Sequence, residues 1–590
     1  MATQLRFDER AVGLEESDSP MQQRIFEAGW DFEAKVFTLL GTLYAEELIF
    51  IDAEPGAAAQ AATIEAMRSD ARLILGGELP SNRDEHRTGR PDLLIRTVDG
   101  WFPGDVKNHA MVARNEKKAE VVSSLDEFVH GEWSKEPGVD ATSKAHEDVL
   151  QLAHYWRQLE TTEFSASKPQ GLLIGSDLTC YWFDLAGREW KKGQSILDIY
   201  DEEFALRVAI AERQLERNED PSLERLVLPV QQSECAECPW RKVCRQELDA
   251  NDSLSLIPRL DKNMTAVLAR YGLESRRDLA DLDLRSALFF YGRTLQEKAP
   301  VENLLKKVKG LDPETSLADI IDNEKTRERC QWLGFHTVGD LATLDERVAN
   351  LPSSGVGYLP NWIQEARAFH ADQCHLRFGR DATVVRRADV EVDVDMESTP
   401  ELVYLWGNYV TGDVPEEQKG YVAFVEWEPL DLDREATLFA GFWQWLQALR
   451  SDTERRGKTF AAYFWTSIET TMCKRIVQHP SLEGIRDEVL QFVEDNTVWI
   501  DLEAVVREQL VTGRGTSIKT IAPMTGFQWS AHDAGGANSI VWYESSFTET
   551  DPDVRQFWRD KLLEYNKNDV EAELMVRDWF EGTAFPRFEI

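Results

Sequence analysis

The sequence predicts an α/β multidomain protein with a helical middle, divided into residues 1–250, 251–385 and 386–590. Three observations predict it. RPDLLIRTVDGWFPGDVKN, from Arg90, reads as two short strands about an Asp-Gly turn. Residues 268–283 and 330–345 repeat one another without gaps inside a helix-like stretch. From Arg387 the pattern changes to strict alternation in VEVDVDMES, and the chain closes on the helix-like KLLEYNKNDVEAELMVRDWF.

A chain of 590 residues exceeds what one hydrophobic core supports, and 42% hydrophobic content with 19 Trp suits packed domains rather than disorder. No apolar run has the length of a membrane span, and MATQLRFDER lacks the apolar stretch of a signal peptide. The expected location is the cytoplasm, with no membrane partner, where the seven Cys are free or metal-bound rather than paired. The formal net charge of −39 excludes a protein that grips duplex nucleic acid over a broad basic face. Any such partner must be held by locally concentrated Lys and Arg or through divalent ions. Arg83, Arg87 and Arg90, and Lys306, Lys307 and Lys309, are two such concentrations, and ordinary solvated faces look the same.

In the N-terminal hairpin, a two-residue loop at Asp99-Gly100 makes cross-strand numbers sum to 199. Asp92 then opposes Lys107 and Leu94 opposes Asp105. Alternation puts Asp92, Asp105 and Lys107 on one face, with Leu93, Ile95, Phe102 and Val106 on the other. Two carboxylates in reach of one Mg²⁺ or Mn²⁺, with an ammonium beside them, suit attack of water on a phosphodiester. Pro103 interrupts the ladder and marks a bulge or an edge. An exposed hairpin in an acidic protein has the same spacing by chance. Downstream, HEDVLQLAHYWRQLE places Gln151 and Tyr155 one helical turn apart. Cys235-x2-Cys238-x5-Cys244 then has metal-ligand spacing.

Pro91-Asp92 with Asp105-Val106-Lys107 resembles the PD-(D/E)xK nuclease superfamily, a restriction-endonuclease-like core. The Gln-x3-Tyr helix and the Cys triplet resemble its RecB-like branch. The resemblance implies that Gln151 and Tyr155 position substrate and the lysine. It also implies that Glu33, on GWDFEAKVFTLL, faces the metal, beside a Phe32 that stands where many relatives have His. It implies a [4Fe-4S] cluster on Cys235, Cys238 and Cys244. The fourth ligand is unidentified, because no Cys precedes Cys180, and zinc is the alternative.

In the middle repeat, Gly272 matches Gly334, Asp278-Leu279-Ala280 matches Asp340-Leu341-Ala342, and Leu282-Asp283 matches Leu344-Asp345. The units resemble helix-hairpin-helix modules, which hold nucleic-acid backbones on amides of a Gly-rich turn. IPRLDKN lacks those glycines, so a helical spacer is expected.

In VEVDVDMES, Val390, Val392, Val394 and Met396 share one face and Glu391, Asp393, Asp395 and Glu397 the other. Four carboxylates on a buried strand require a metal or an edge. The closing helix sets Tyr565 and Asp569 one turn apart. With YFWTSIETTM, VWIDLEAVV and SIKTIAPMTGF between them, the order resembles RNase H-like exonucleases of the DEDDy class. That resemblance implies a 3′–5′ exonuclease-type centre in which Asp395, Glu397 and Asp569 hold two divalent ions and Tyr565 orients water. The Asn-x3-Phe-Asp motif of that class is absent. Glu469 is the candidate middle acid, and Asp501 is the weaker option, read first as a structural position at a strand end.

The whole chain resembles RecB-like nucleases in which a PD-(D/E)xK domain and Cys motif precede an RNase H-like domain. DNA is the expected substrate ahead of RNA, in repair, recombination or defence. No Gly-x4-Gly-Lys-Ser/Thr loop is present, so unwinding falls to a helicase partner. The rivals are a decayed nucleic-acid-binding scaffold and an RNA-processing exonuclease.

Overall fold

The computed structural model describes all residues except 12–19, 83, 131–133, 188, 192, 292–303, 353–356, 401, 531–535 and 589–590. Arg83 therefore lies outside the described residues. The chain divides into two compact units, one ending at Leu228 and one running Pro229–Ile590. Among the described residues, no helix is long and apolar enough to cross a membrane.

The first unit is a mixed eight-stranded sheet. Its strand order is Leu48–Phe50, Leu73–Leu75, Leu93–Thr97, Gly100–Val106, Gln170–Ile174, Cys180–Asp184, Val112–Ser123 and Ser134–Ala141. Helices Pro20–Leu43, Ala57–Arg68, Ser143–Leu159 and Ile196–Glu219 accompany it. Val36, Leu40 and Tyr44 pack with Leu93, Ile95 and Val106, so the apolar hairpin face is core as its alternation predicts.

The hairpin forms in a different register from the expected one. Thr97 pairs with Gly100, so the loop centres on Val98-Asp99 and paired numbers sum to 197. The cause is tertiary. Gly100 has φ +128°, and a Cβ there would lie 2.8 Å from the backbone of Ser165 and Ala166. Trp101 N–H donates to the Phe164 carbonyl at 2.9 Å, which locks that approach. Leu94 therefore opposes Pro103, and Asp105 rather than Lys107 stands across from Asp92. A slip of two in the sum keeps the face parity, so the three polar residues stay together. Pro103 precedes the stretch where Gly104–Val106 pairs with Leu172–Ile174, and no ladder bond is lost to it on that side.

The second unit holds a helical middle and a five-stranded mixed sheet. The repeat is structural. Helices Lys262–Arg270 and Glu324–Trp332 are each followed by a left-handed glycine, Gly272 (φ +78°) and Gly334 (φ +73°). Each glycine leads to a capping box, Ser275 with Asp278 and Thr337 with Asp340. Asp283 and Asp345 then cap the next helices, and the two meet where Asp345 N–H donates to Ser286 Oγ at 2.8 Å. Leu268, Leu279, Leu333, Phe335 and Leu341 share one core.

The sheet order is Gly420–Val425, Val403–Gly412, Val390–Ser398, Phe460–Phe464 and Trp499–Asp501, the first three antiparallel and the last two joined in parallel. On one face Val390, Val392 and Val394 pack against Phe439, Phe442 and Leu446 of helix Leu432–Arg455. Each such side chain contributes about 1.5–3 kcal/mol on burial. The other face meets the long helix Pro552–Gly582.

Candidate active site

Within the first unit, Asp92 immediately precedes its strand and Asp105 lies buried on the facing one. Val106 N–H donates to Asp92 Oδ2 at 2.8 Å, and Lys107 Nζ sits 2.6 Å from Asp105 Oδ2. The same ammonium donates to Gln151 Oε1 at 2.9 Å; Gln151 Nε2 donates to the Tyr155 hydroxyl at 2.6 Å, and that hydroxyl donates to the Arg90 carbonyl at 3.2 Å. Thr142 caps helix Ser143–Leu159, which carries both residues. Burial, and then the Asp105 charge, push the Asp92 carboxyl up to about 9. Burial alone would lower the Lys107 ammonium, but Asp105 outweighs it and the group is raised. Glu33, half-buried on helix Pro20–Leu43, is raised by burial and then by Asp105.

Two further residues belong to this cluster. Asp148 accepts an ion pair from His109 Nε2 at 2.9 Å and lies 3.8 Å from Lys107. Its position one turn before Gln151 was the available signal. The basic clusters are otherwise engaged: Arg87 donates to the Tyr200 hydroxyl and Lys307 pairs with Asp322.

Among the described residues, Cys235, Cys238 and Cys244 do not bring their thiols within 4.8 Å of one another, so they do not stand at the spacing of ligands on a single zinc ion. Cys235 lies in the 3-10 turn Ser233–Glu237 with its thiol 3.8 Å from the Val230 carbonyl, and Cys244 is on the separate helix Arg241–Ala250. Burial raises the Cys244 thiol, with smaller contributions from Cys238 and Cys235. Cys180 is buried in a strand.

In the second unit, Asp395, Glu397 and Asp569 each bring a carboxylate oxygen within 4.8 Å of the others. Two come from the central strand and one from the long helix. Glu397 accepts from Ser539 Oγ at 2.7 Å, and Asp395 from Asn566 Nδ2 at 2.7 Å. Asn566 fits because residue 407, paired with Asp395, is glycine; a Cβ there would overlap its side chain. Asp569 Oδ1 accepts from Lys519 Nζ and Trp529 Nε1, each at 2.6 Å. Burial and mutual repulsion raise Asp395 well above the carboxylate range and bring Glu397 to about 8. Burial first, then these acids, raise Tyr565, so its phenol stays protonated. All three donors are hard oxygens, the set that Mg²⁺ or Mn²⁺ selects. Buried Glu573 Oε2 has no hydrogen-bond partner, and burial followed by the neighbouring acids raises its carboxyl well above the usual range, which favours the protonated form.

Glu469 is buried at the start of helix Ser467–Ile476 and raised to about 7 by burial, but stands outside the group of three. Asp501 caps helix Leu502–Gln509 through Ala504 N–H at 2.7 Å. The acids at the other end of the strand have neither a metal role nor an edge position. Fully buried Arg577 binds Asp393 at 2.7 Å and also Glu391, to which Arg387 adds a second guanidinium. Tyr565, Asp569, Glu573 and Arg577 recur every four residues, a polar stripe whose last two members extend the same helical face. Lys519 lies within SIKTIAP, while Trp529, Ser539 and Asn566 carried no local signal.

Residues 392–581 match the family model RNase_H_2 of the RNase H superfamily. This region is an RNase H superfamily domain. The chain matched no curated protein and no solved structure. The RNase H domain implies nucleic-acid binding, and with its acidic triad it indicates a phosphodiesterase. The family model does not reach the first unit, and none of these comparisons supports the PD-(D/E)xK domain expected there.

Proposed function

We propose that the chain is a Mg²⁺- or Mn²⁺-dependent nuclease that hydrolyses phosphodiester bonds of DNA. The observation that carries this reading is the convergence of Asp395, Glu397 and Asp569 beside Tyr565. Asp395, Glu397 and Asp569 would hold the divalent ion, which when bound supplies Lewis-acid activation of water and charge neutralisation at phosphate. The protonated Tyr565 hydroxyl orients water as a donor, in the manner of a 3′–5′ exonuclease of the DEDDy type. Lys519 steadies Asp569 before substrate arrives, and Asn566 holds Asp395 in one rotamer.

The hairpin cluster supports a second centre of PD-(D/E)xK, RecB-like type. Asp92 and Asp105, with Glu33 nearby, would hold a divalent ion there. Lys107, fixed by Gln151 and Tyr155, offsets charge at the attacked phosphate. Repair, recombination or defence in the cytoplasm, with unwinding supplied by a helicase partner, is the setting this activity suits.

One observation favours a second reading, a scaffold that binds nucleic acid without cutting it: Lys519 and Trp529 both occupy Asp569 Oδ1. The test compares wild type with a Lys107→Ala plus Asp569→Ala double variant on labelled single-stranded and duplex DNA, and on RNA, with Mn²⁺. Loss of cleavage in the variant supports the enzyme; equal degradation, or none by either protein, overturns it. Preference for RNA makes the second centre an RNA-processing exonuclease.

A further inference from the structure

A cavity of about 920 Å³ opens within the second unit between the helical middle and the RNase H domain, and Lys519 is part of its wall. Since Lys519 holds Asp569, the cavity adjoins the triad. It also reaches Trp579, ten residues further along the same helix, about 15 Å at 1.5 Å rise per residue. That volume lies in the range of ligand clefts, about 300–1,000 Å³.

The wall is basic and aromatic in a chain of net charge −39. Arg245, Arg514 and Lys519 line it with side chains roughly half exposed, and Asp372 is the one acid among its lining residues. Arg514 pairs with Asp372 at 2.6 Å and Arg245 with Asp249 at 2.8 Å. Exposed pairs of this kind are weak and yield to a phosphate. Three half-buried rings, Phe369, Trp579 and Phe585, share the wall with these cations: Arg514 lies over the Phe369 ring at 5.5 Å, and Trp579 and Phe585 meet edge to face at 4.8 Å. Buried Arg276 stacks 3.4 Å over the Phe369 ring and is anchored to Asp252, so the ring is held rigidly. Gly513 has φ +70°, and a Cβ there would strike the Phe369 backbone, so the loop seats Arg514 directly on that helix.

We propose that this cavity is the track that carries single-stranded nucleic acid to the carboxylates, with Arg245 and Arg514 on phosphates and Phe369, Trp579 and Phe585 under bases. Cations that follow a backbone, beside rings that stack on any base, are what sequence-tolerant single-strand binding requires. The track rests on the nuclease reading above for its destination, but binding can be read without cleavage. It also accounts for how so acidic a chain holds a polyanion: the basic helix after Cys238 and the loop at Gly513 place their charge in one groove.

The test uses the full chain in EDTA and the fluorescence anisotropy of labelled oligodeoxythymidylate and oligouridylate. An Arg245→Glu plus Arg514→Glu variant is expected to bind about tenfold or more weakly and to lose about 1.4 from its log–log salt slope, at about 0.7 per phosphate contact. An Arg347→Glu plus Arg455→Glu variant, equal in charge but outside the cavity, is expected to bind as wild type does. Phe585→Ala, which changes no charge, is expected to weaken binding and leave the salt slope alone. The oligonucleotide that loses more identifies the sugar that the track accepts. Equal loss in the two charge variants, or no binding by wild type, overturns the track. If the track variant loses binding while wild type with Mn²⁺ fails to cut either oligonucleotide, the nuclease reading falls and the track stands.

Discussion

The hairpin cluster and the RNase H triad are both built from a strand and a helix, yet they balance charge differently. In the hairpin, Asp105 has Lys107, Asp148 has His109, and Asp92 has a backbone amide. In the triad region, Lys519 pairs with Asp569 and offsets Asp395 and Glu397 in part, while Glu469 adds its repulsion to Asp395, and Asp395, Glu469 and Asp569 act in turn on Glu573. The first offsets Asp105 with its own lysine and leaves Asp92, raised to about 9, as the carboxyl that a proton or a cation must relieve. The second shares such repulsion among several buried carboxyls at once.

The largest test of that contrast is activity. Asp569→Asn is expected to lower exonucleolytic hydrolysis by about 10³-fold, about 4 kcal/mol in barrier. Lys107→Ala is expected to spare that activity and to remove any internal cutting by the second centre proposed at the hairpin. Terminal mononucleotide release and internal nicking of circular single-stranded DNA separate the two. If one substitution removes both, the centres are not independent.

Next in size is Arg577, which neutralises the lower half of the same strand. Burial raises Asp393 to about 6 even with this guanidinium 2.7 Å away, so desolvation already outweighs the pairing. Arg577→Met leaves buried Asp393 without its guanidinium, while Glu391 keeps Arg387, a loss of about 3–5 kcal/mol. A raised carboxyl stabilises the fold in its protonated form, fully below its ordinary value and no longer above its folded one. The variant is therefore expected to lose less stability at pH 5 than at pH 8 in chemical denaturation. An equal loss at both would mean that Asp393 is not the group left behind.

How much of this contrast was legible depended on the range of the interactions. The middle repeat could be read because Gly272 and Gly334 end helices and the following Ser275 or Thr337 begins new ones, all local rules. The alternation of VEVDVDMES placed Asp395 and Glu397 on the correct face, and i, i+4 spacing aligned Tyr565 with Asp569. The same spacing, carried two steps further, reaches Glu573 and Arg577. The hairpin register was not legible, because the loop is set by Ser165 and Ala166, far along the chain. Ser539, Trp529 and Asn566 were hidden for the same reason: each acts through a contact more than thirty residues away. The cysteine spacing brought Cys235 and Cys238 near enough to Cys244 to raise its thiol, but spacing alone does not set a ligand geometry.

Metal addition sharpens the comparison further. In EDTA, Glu397 at about 8 and Glu469 at about 7 favour the folded state while protonated. That contribution is complete below the ordinary carboxylate value near 4.5 and is lost as pH rises to about 8. Mg²⁺ at about 100 times its dissociation constant adds about 2.7 kcal/mol. The gain in melting temperature on adding Mg²⁺ is therefore expected to be larger at pH 8 than at pH 6. Asp395→Asn is expected to remove most of it, whereas Asp105→Asn, in the hairpin cluster, removes less. The opposite ranking would reverse the assignment of which centre needs the ion to hold its shape.

The smallest effect concerns Gln151, which contacts the Lys107 ammonium and takes no part in metal binding. Gln151→Ala leaves Lys107 paired with Asp105 but frees it from the helix, so a positioning loss of about tenfold is expected, about 1.4 kcal/mol. The measurement belongs in an Asp569→Asn background, which isolates the cutting proposed for the hairpin centre. A positioning role predicts a lower kcat with an unchanged Mn²⁺ requirement, and partial recovery in Gln151→Glu, whose carboxylate can still accept from the ammonium. A structural role predicts a lower melting temperature with the residual activity proportional to folded protein. A loss of Mn²⁺ affinity would place Gln151 among the ligands and show that the hairpin centre, too, is organised by its ion.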